Sequence, residues 1–318
     1  MIIDAHVHLF TPKIIANVSA KSEMVAKLHL QTDEATKRIG TEALGTALSR
    51  AGIHAALMLP TAGADSVSEV NSGAMATAAD CDFLNTAGTL HPDGKGLPAE
   101  MAALHAAGIR AIKLCSFSQG FMLNAPATMA MFAQIEAFNR NHIHNFFVVL
   151  DTFYKAAAYF GTDPRYTTDP ARISRLVRTF PGITFVGAHM GGLTAPFEDI
   201  IRSLPAADNL YLDTSNAAHT LNEAEFIRLL DVHGPARIIF GTDWPWFHPG
   251  EEISLIEALL DRAGYTVNDK AKVLGGNIAE LMAIDIAAEH LKPVRSYADH
   301  IEVTASGRSL QSEAQSDR

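Results

Sequence analysis

Ile2-Ile3-Asp4-Ala5-His6-Val7-His8-Leu9-Phe10-Thr11-Pro12 opens the chain. A short apolar run ends in two histidines, and nothing rich in glycine follows it. A doubly wound dinucleotide-binding sheet places G-x-G-x-x-G after an early strand, so that backbone can approach a phosphate. Leu9-Phe10-Thr11-Pro12 stands there instead. The same kind of run recurs at 53–59, 83–90, 109–114, 145–150, 183–188, 209–213 and 237–241. Most of these runs are continuously apolar, as expected for parallel strands buried on both faces.

Helical segments separate the runs. Asp169-Pro170 places a capping acid before a first-turn proline, and Ile173, Leu176, Val177 and Phe180 follow at helical spacing. Asn222 and Glu225 have the capping-box spacing ahead of Phe226, Leu229 and Leu230. Segments 127–139 and 251–262 each carry one apolar face. The repeat is about 33 residues, the size of a strand–helix–strand unit. Eight strands alternating with helices predict an α/β fold, a (β/α)8 TIM barrel in a single domain over residues 1–285. Residues 11–40 form a cap-like excursion after strand one. Residues 286–318 form a C-terminal extension, expected to be disordered from about residue 304, where Ser, Gln and Glu replace apolar periodicity.

Composition narrows the class. The chain has 318 residues, 48% hydrophobic and 19% charged, which is globular rather than disordered. Mean hydropathy is +0.09, and no apolar run approaches the ~20 residues that span a bilayer. Met1-Ile2-Ile3-Asp4 lacks the basic start and apolar stretch of an export signal. Two cysteines, Cys81 and Cys115, form no disulfide framework, and together these features predict a cytoplasmic protein. A net charge of −10 argues against nucleic acid and anionic membrane as partners and leaves a small molecule. A homodimer or higher homo-oligomer is left open.

Barrel enzymes work where strands end. Strand one ends His6-Val7-His8, and i, i+2 spacing on a strand puts both imidazoles on one face, able to share a metal ion. Strand four ends at Lys113, strand five at Asp151, strand six at His189 and strand eight at Asp243. Singly, each has an ordinary role: a core histidine, a helix cap, a snorkelling lysine. Together, at one mouth, they predict a common site. His91 and His248 lie near strand ends three and eight and are candidate substrate contacts. The loop 151–168, with Phe153, Tyr154 and Arg165, is expected to shape the pocket, beside Trp244. Lys113, Lys155 and Arg165 could pair with an anionic substrate. His29, His54, His105, His142, His144, His219, His233 and His290 are expected to be ordinary surface or helix residues.

Asp4-Ala5-His6-Val7-His8, Gly108-Ile109-Arg110-Ala111-Ile112-Lys113-Leu114, Gly187-Ala188-His189-Met190-Gly191-Gly192, Asn209-Leu210-Tyr211-Leu212-Asp213-Thr214-Ser215, Gly241-Thr242-Asp243-Trp244-Pro245 and Gly275-Gly276-Asn277 together resemble the successive motifs of the amidohydrolase-2 (amidohydrolase-related) family. The resemblance runs in the family's order over residues 1–285. It implies a metal-dependent barrel holding one divalent ion, Zn2+ first and Mn2+ as the alternative. It implies His6 and His8 as metal ligands, Asp243 as a ligand that also handles a proton, and His189 as the group that positions or deprotonates water. Strand five departs from the pattern: the family's His-Thr-Gly is Asp151-Thr152-Phe153 here. The metal shifts toward Asp151, a water bridges the gap, or the site does without metal.

The family includes hydrolases and lactonases of small acids as well as non-oxidative decarboxylases. The resemblance therefore implies a metal-dependent hydrolase of a small, carboxylated substrate (a lactone, amide or C–C/C–O bond), with a decarboxylase on the same scaffold as the alternative. A barrel that binds without catalysis is a third reading, supported only by Asp151.

Overall fold

The computed structural model describes residues 1–143 and 145–284. The expectations for His144, His290 and the C-terminal extension lie outside the described residues. Among the described residues, no helix is long and apolar enough to cross a membrane.

The strands are β1 (Ile3–Val7), β2 (Ala55–Met58), β3 (Leu84–Thr86), β4 (Gly88–Thr89), β5 (Ala111–Leu114), β6 (Phe147–Leu150), β7 (Thr184–Gly187), β8 (Leu210–Asp213) and β9 (Ile238–Ile239). They pair in chain order, β1 to β3 and β4 to β9, and every pairing is parallel. The run expected as one strand over 83–90 is broken at Ala87 into β3 and β4. Its first part bonds to β2, its second to β5, so the sheet continues through it. At Gly88 the strand packs closely on helix Leu97–Ala106, since a Cβ there would lie 2.5 Å from Leu104 Cδ1.

The barrel closes between its ends. Ala5 N–H donates to Phe240 O at 3.0 Å, Asp243 N–H to His6 O at 2.9 Å, and His8 N–H to Trp244 O at 2.8 Å. β9 is shorter than the expected 237–241 because Phe240 N–H turns away to Val273 O at 2.9 Å. Strand alternation sorts the core into two layers. Val7, Ile112, Val148, Phe185 and Leu212 pack outward against helix residues such as Leu48, Phe132 and Leu229. Ile3, Ala5, Ala111, Phe147, Val149, Tyr211 and Ile239 fill the barrel interior, closed below by Ile278 and Ala279.

That alternation positions the site. Lys113 follows Ala111, Asp151 follows Val149, and Asp213 follows Tyr211, each by two residues, so each shares the inward face at the C-terminal mouth. β1 needs a further device. Three steps on β1 (Asp4 to Val7) match two on β2 (Ala56 to Met58), a bulge that reverses its parity. Val7 therefore packs outward while His6 and His8 enter the mouth.

The excursion after β1 carries three helices, α1 (Pro12–Ser19), α2 (Ser22–Leu28) and α3 (Thr32–Ala35). Their apolar faces form a separate cluster with Phe153, Leu193, Trp246 and Phe247. Gln31 N–H donating to Trp246 O at 3.1 Å and Arg38 Nη1 to Pro245 O at 3.2 Å tether the segment to the loop after β9. Asp169 caps helix Pro170–Thr179 through Arg172 N–H, and the Asn222–Glu225 box opens helix Glu223–His233.

Candidate metal centre

Three imidazoles meet at the mouth, each oriented by its Nδ1. His6 Nδ1 lies 2.9 Å from Asp213 Oδ2, His8 Nδ1 3.2 Å from Leu59 O, and His189 Nδ1 2.9 Å from Ser215 O. A neutral imidazole carries one N–H, and the nitrogen that faces an oxygen acceptor must hold it. Each Nε2 is therefore left with its lone pair. His6 Nε2 and His8 Nε2 stand 3.1 Å apart. Two lone pairs that close repel unless a cation lies between them. At a nitrogen–metal distance of about 2.1 Å this separation subtends about 95°, an ordinary coordination angle.

Two carboxylates complete the donors. Asp243 Oδ1 lies 3.6 Å from His8 Nε2 and 3.8 Å from His6 Nε2. Asp151 Oδ1 lies 3.9 Å from His189 Nε2. The sets His6–His8–Asp243 and His6–Asp151–His189 each gather their donor atoms within 4.8 Å. The residues present thus fit a divalent ion with nitrogen and oxygen ligands.

The electrostatics agree. Burial lowers His6 to about 4, and the charge of Lys113 adds to this against the Asp213 pair. Burial, then His6, holds His8 well below the ordinary histidine value. Both stay neutral, the form that ligates. Burial by itself would raise Asp213 and Asp151. His6 and Ser215 outweigh it at Asp213, which falls to about 2. Lys113 and His189 outweigh it at Asp151, which is held well below the carboxylate range. At Asp243 burial prevails, with Asp151 adding to it, and the group is pushed up to about 7.

The fully buried Lys113 ammonium sits 3.2 Å from Asp151 Oδ2 but off the line of a hydrogen bond. Asn216 Oδ1 is also buried without a partner. Both residues line a cleft of about 860 Å³ between the mouth and helices α1 and α2. His189, Asn216 and Asp243 all hold left-handed backbone, with φ of 55°, 56° and 63°. Non-glycine residues there cost about 1–3 kcal/mol each and cluster at functional sites. Gly241 is required beside them: a Cβ would lie 2.7 Å from His6 Cβ.

His6, His8, Asp151, His189, Asp243 and Lys113 therefore come together, and Phe153 lines the cleft with them. Six expected substrate contacts do not reach it. Trp244 is fully buried in the layer between strands and helices. His91 spends both ring nitrogens locally, on Gln119 O at 3.0 Å and Asp93 N–H at 3.1 Å. Arg165 pairs with Asp163 on the surface, and Tyr154 is turned outward, 37% exposed. Lys155 also stays off the cleft wall, and His248 caps helix Pro249–Arg262.

Sequence reasoning assigned no role to Asp213, Ser215, Asp4 or Asn216. Asp213 ends its strand as Asp151 ends another, and that parity was the available signal. Asp4 accepts from His6 N–H at 3.1 Å, Thr242 N–H at 3.0 Å and Thr242 Oγ1 at 2.6 Å, joining β1 to the loop that carries Asp243. Asp4→Ala orphans these buried donors and is expected to cost about 2–5 kcal/mol of stability. The denaturant midpoint of the metal-free protein checks this; a midpoint equal to wild type would contradict it.

The amidohydrolase family model matches residues 3–283, and the chain belongs to that family. Among solved structures, it is similar to 5-carboxyvanillate decarboxylase from Sphingomonas paucimobilis, at 15% identity and TM-score 0.60, covering 89% of this chain and 99% of that one. A protein from Pseudomonas putida described as a 2-pyrone-4,6-dicarboxylic acid hydrolase aligns at 16% identity and TM-score 0.59, over 89% of this chain and 97% of that one. A dihydroxybenzoic acid decarboxylase from a Polaromonas species, with bound manganese and the inhibitor 2-nitroresorcinol, aligns at 14% identity and TM-score 0.61, over 89% and 96%. No curated protein matches the sequence.

Proposed function

We propose that the chain is a metal-dependent hydrolase of a small carboxylated substrate. The observation that carries this reading is the meeting of three Nε2 lone pairs and two carboxylates at the barrel mouth. His6, His8 and Asp243 hold the ion, and Asp151 and His189 complete its surroundings. A divalent ion there supplies Lewis acidity toward an oxygen of water or substrate. Asp243 accepts a proton at its carboxylate and returns it to the leaving group. His189, its Nδ1 held by Ser215 O, keeps Nε2 aimed at the same point. Lys113 and Asn216 bind the polar end of the substrate, which satisfies their buried polar atoms.

Decarboxylation is the second reading. Two of the similar structures are decarboxylases, and on this scaffold Asp243 would deliver the proton that the carbanion takes. A panel of lactones and aromatic acids, assayed for both ring opening and released CO2, tests the two. Ring opening without CO2 supports the hydrolase, and stoichiometric CO2 replaces it with the second reading.

Two carboxylates in the donor set favour Mn2+ over Zn2+, since carboxylate suits Mn2+ and imidazole suits Zn2+. Exchanging Asp151 alone would leave the Lys113 ammonium buried without its counter-charge. The informative variant is therefore Lys113→Met with Asp151→His. We expect it to shift metal preference toward Zn2+, measured by metal analysis after loading from an equimolar Mn2+/Zn2+ mixture. An unchanged ratio would take Asp151 out of the ion's surroundings.

A further inference from the structure

The cleft is larger and more apolar than a one-ring acid needs. At about 860 Å³ it lies near the top of the ~300–1,000 Å³ range that encloses drug-sized ligands. Its outer walls are Phe10, Phe117, Phe160 and Trp246, with Met24 and Leu28 from α2. The rings are already assembled. Phe10 stacks on His8 with centroids 4.5 Å apart and planes 15° apart, and lies 5.6 Å from Trp246. Phe117 stacks on Phe160 at 5.7 Å. The aromatic wall thus starts on a histidine of the metal centre and runs outward beneath the cap.

Buried charge is confined to the other end. Among the described residues, the Lys, Arg, Asp and Glu side chains on the cleft wall are Lys13, Lys113, Asp151 and Asp243. Lys113 is compensated by Asp151, and Lys13 is exposed on α1. A second carboxylate under the cap would be desolvated against phenylalanine rings with no buried cation to meet it, which is costly.

We propose that the substrate is a mono-anion with an extended apolar body larger than a single six-membered ring. The body lies under α1 and α2 against the Phe10–Trp246 and Phe117–Phe160 pairs, and the one anionic group lies at the metal end. The anionic end and its place at the metal rest on the functional reading above; the apolar body does not.

The test is calorimetric titration of the wild-type protein, after incubation with Mn2+ and measurement of its metal content, with benzoate, biphenyl-4-carboxylate and isophthalate. Biphenyl-4-carboxylate is expected to bind at least about thirtyfold tighter than benzoate, from the added apolar area buried. Isophthalate is expected to bind no tighter than benzoate. Phe160→Ser should weaken biphenyl-4-carboxylate about fivefold or more and leave benzoate within about twofold. Equal affinity for the two mono-acids, or isophthalate tenfold tighter than benzoate, overturns the proposal. Metal content and turnover of the same preparation keep the two readings apart. A flat series on an active, metal-loaded protein removes the apolar body alone. A steep series on a protein that binds no metal removes the hydrolase reading and keeps the apolar body.

Discussion

Asp243→Asn is expected to leave a folded protein whose turnover falls by about 10²–10⁴-fold. The fold should tolerate the change because the backbone does the structural work at this position. Asp243 N–H donates to His6 O at 2.9 Å, and Asp243 O accepts from Trp246 N–H at 3.0 Å. Asparagine is also among the residues most at ease with a φ of 63°. The chemistry should not tolerate it. An amide neither takes up a proton nor carries the negative charge that lies 3.6 Å from His8 Nε2 and 3.8 Å from His6 Nε2. The measurement is kcat on whichever substrate the panel identifies, read beside the thermal midpoint. A variant with wild-type kcat would remove Asp243 from the mechanism. A variant with a collapsed midpoint would instead assign its effect to structure.

The second large effect is on metal content. With His6→Ala and His8→Ala combined, the protein is expected to purify with no bound divalent ion while still unfolding cooperatively. Two nitrogen donors leave, and with them the pair of lone pairs set 3.1 Å apart. The barrel beneath should survive, because its interior is filled by Phe147, Val149, Tyr211 and Ile239, below the mouth. Asp213 loses its His6 partner but keeps donors from His189 N–H at 2.9 Å and Ser215 N–H at 3.1 Å, so no carboxylate is stranded. Metal analysis and calorimetric unfolding of the double variant check both halves. Retention of stoichiometric metal with full turnover would show that neither histidine holds the ion.

Much of this site was legible along the chain for a simple reason. A parallel barrel gathers strand ends at one mouth, so the last residues of separate apolar runs are neighbours in space however far apart they lie in sequence. His6, His189 and Asp243 span nearly the whole barrel, yet their positions at run ends predicted that they would meet. Asp151 and Lys113 were found the same way. The loop residues were not, because no such rule governs where a loop side chain turns. Tyr154 and Arg165 face outward, and Phe153 beside them faces in. His91 and Trp244 stand next to strand ends but point elsewhere, one held by local backbone partners and the other by apolar burial.

The sequence by itself determined the barrel, because buried parallel strands must be apolar throughout and their helices must be capped and amphipathic. It also determined that His6 and His8 share a face, since a strand repeats every two residues. Which face they share was decided only in three dimensions, where a bulge against β2 turns both imidazoles into the mouth. The proton positions were decided there too, by Asp213, Leu59 O and Ser215 O, none of them adjacent in sequence to the ring it orients. Local pattern reports periodicity and caps. Tautomer, charge and ligand geometry depend on atoms that only folding brings within 3 Å or so of one another.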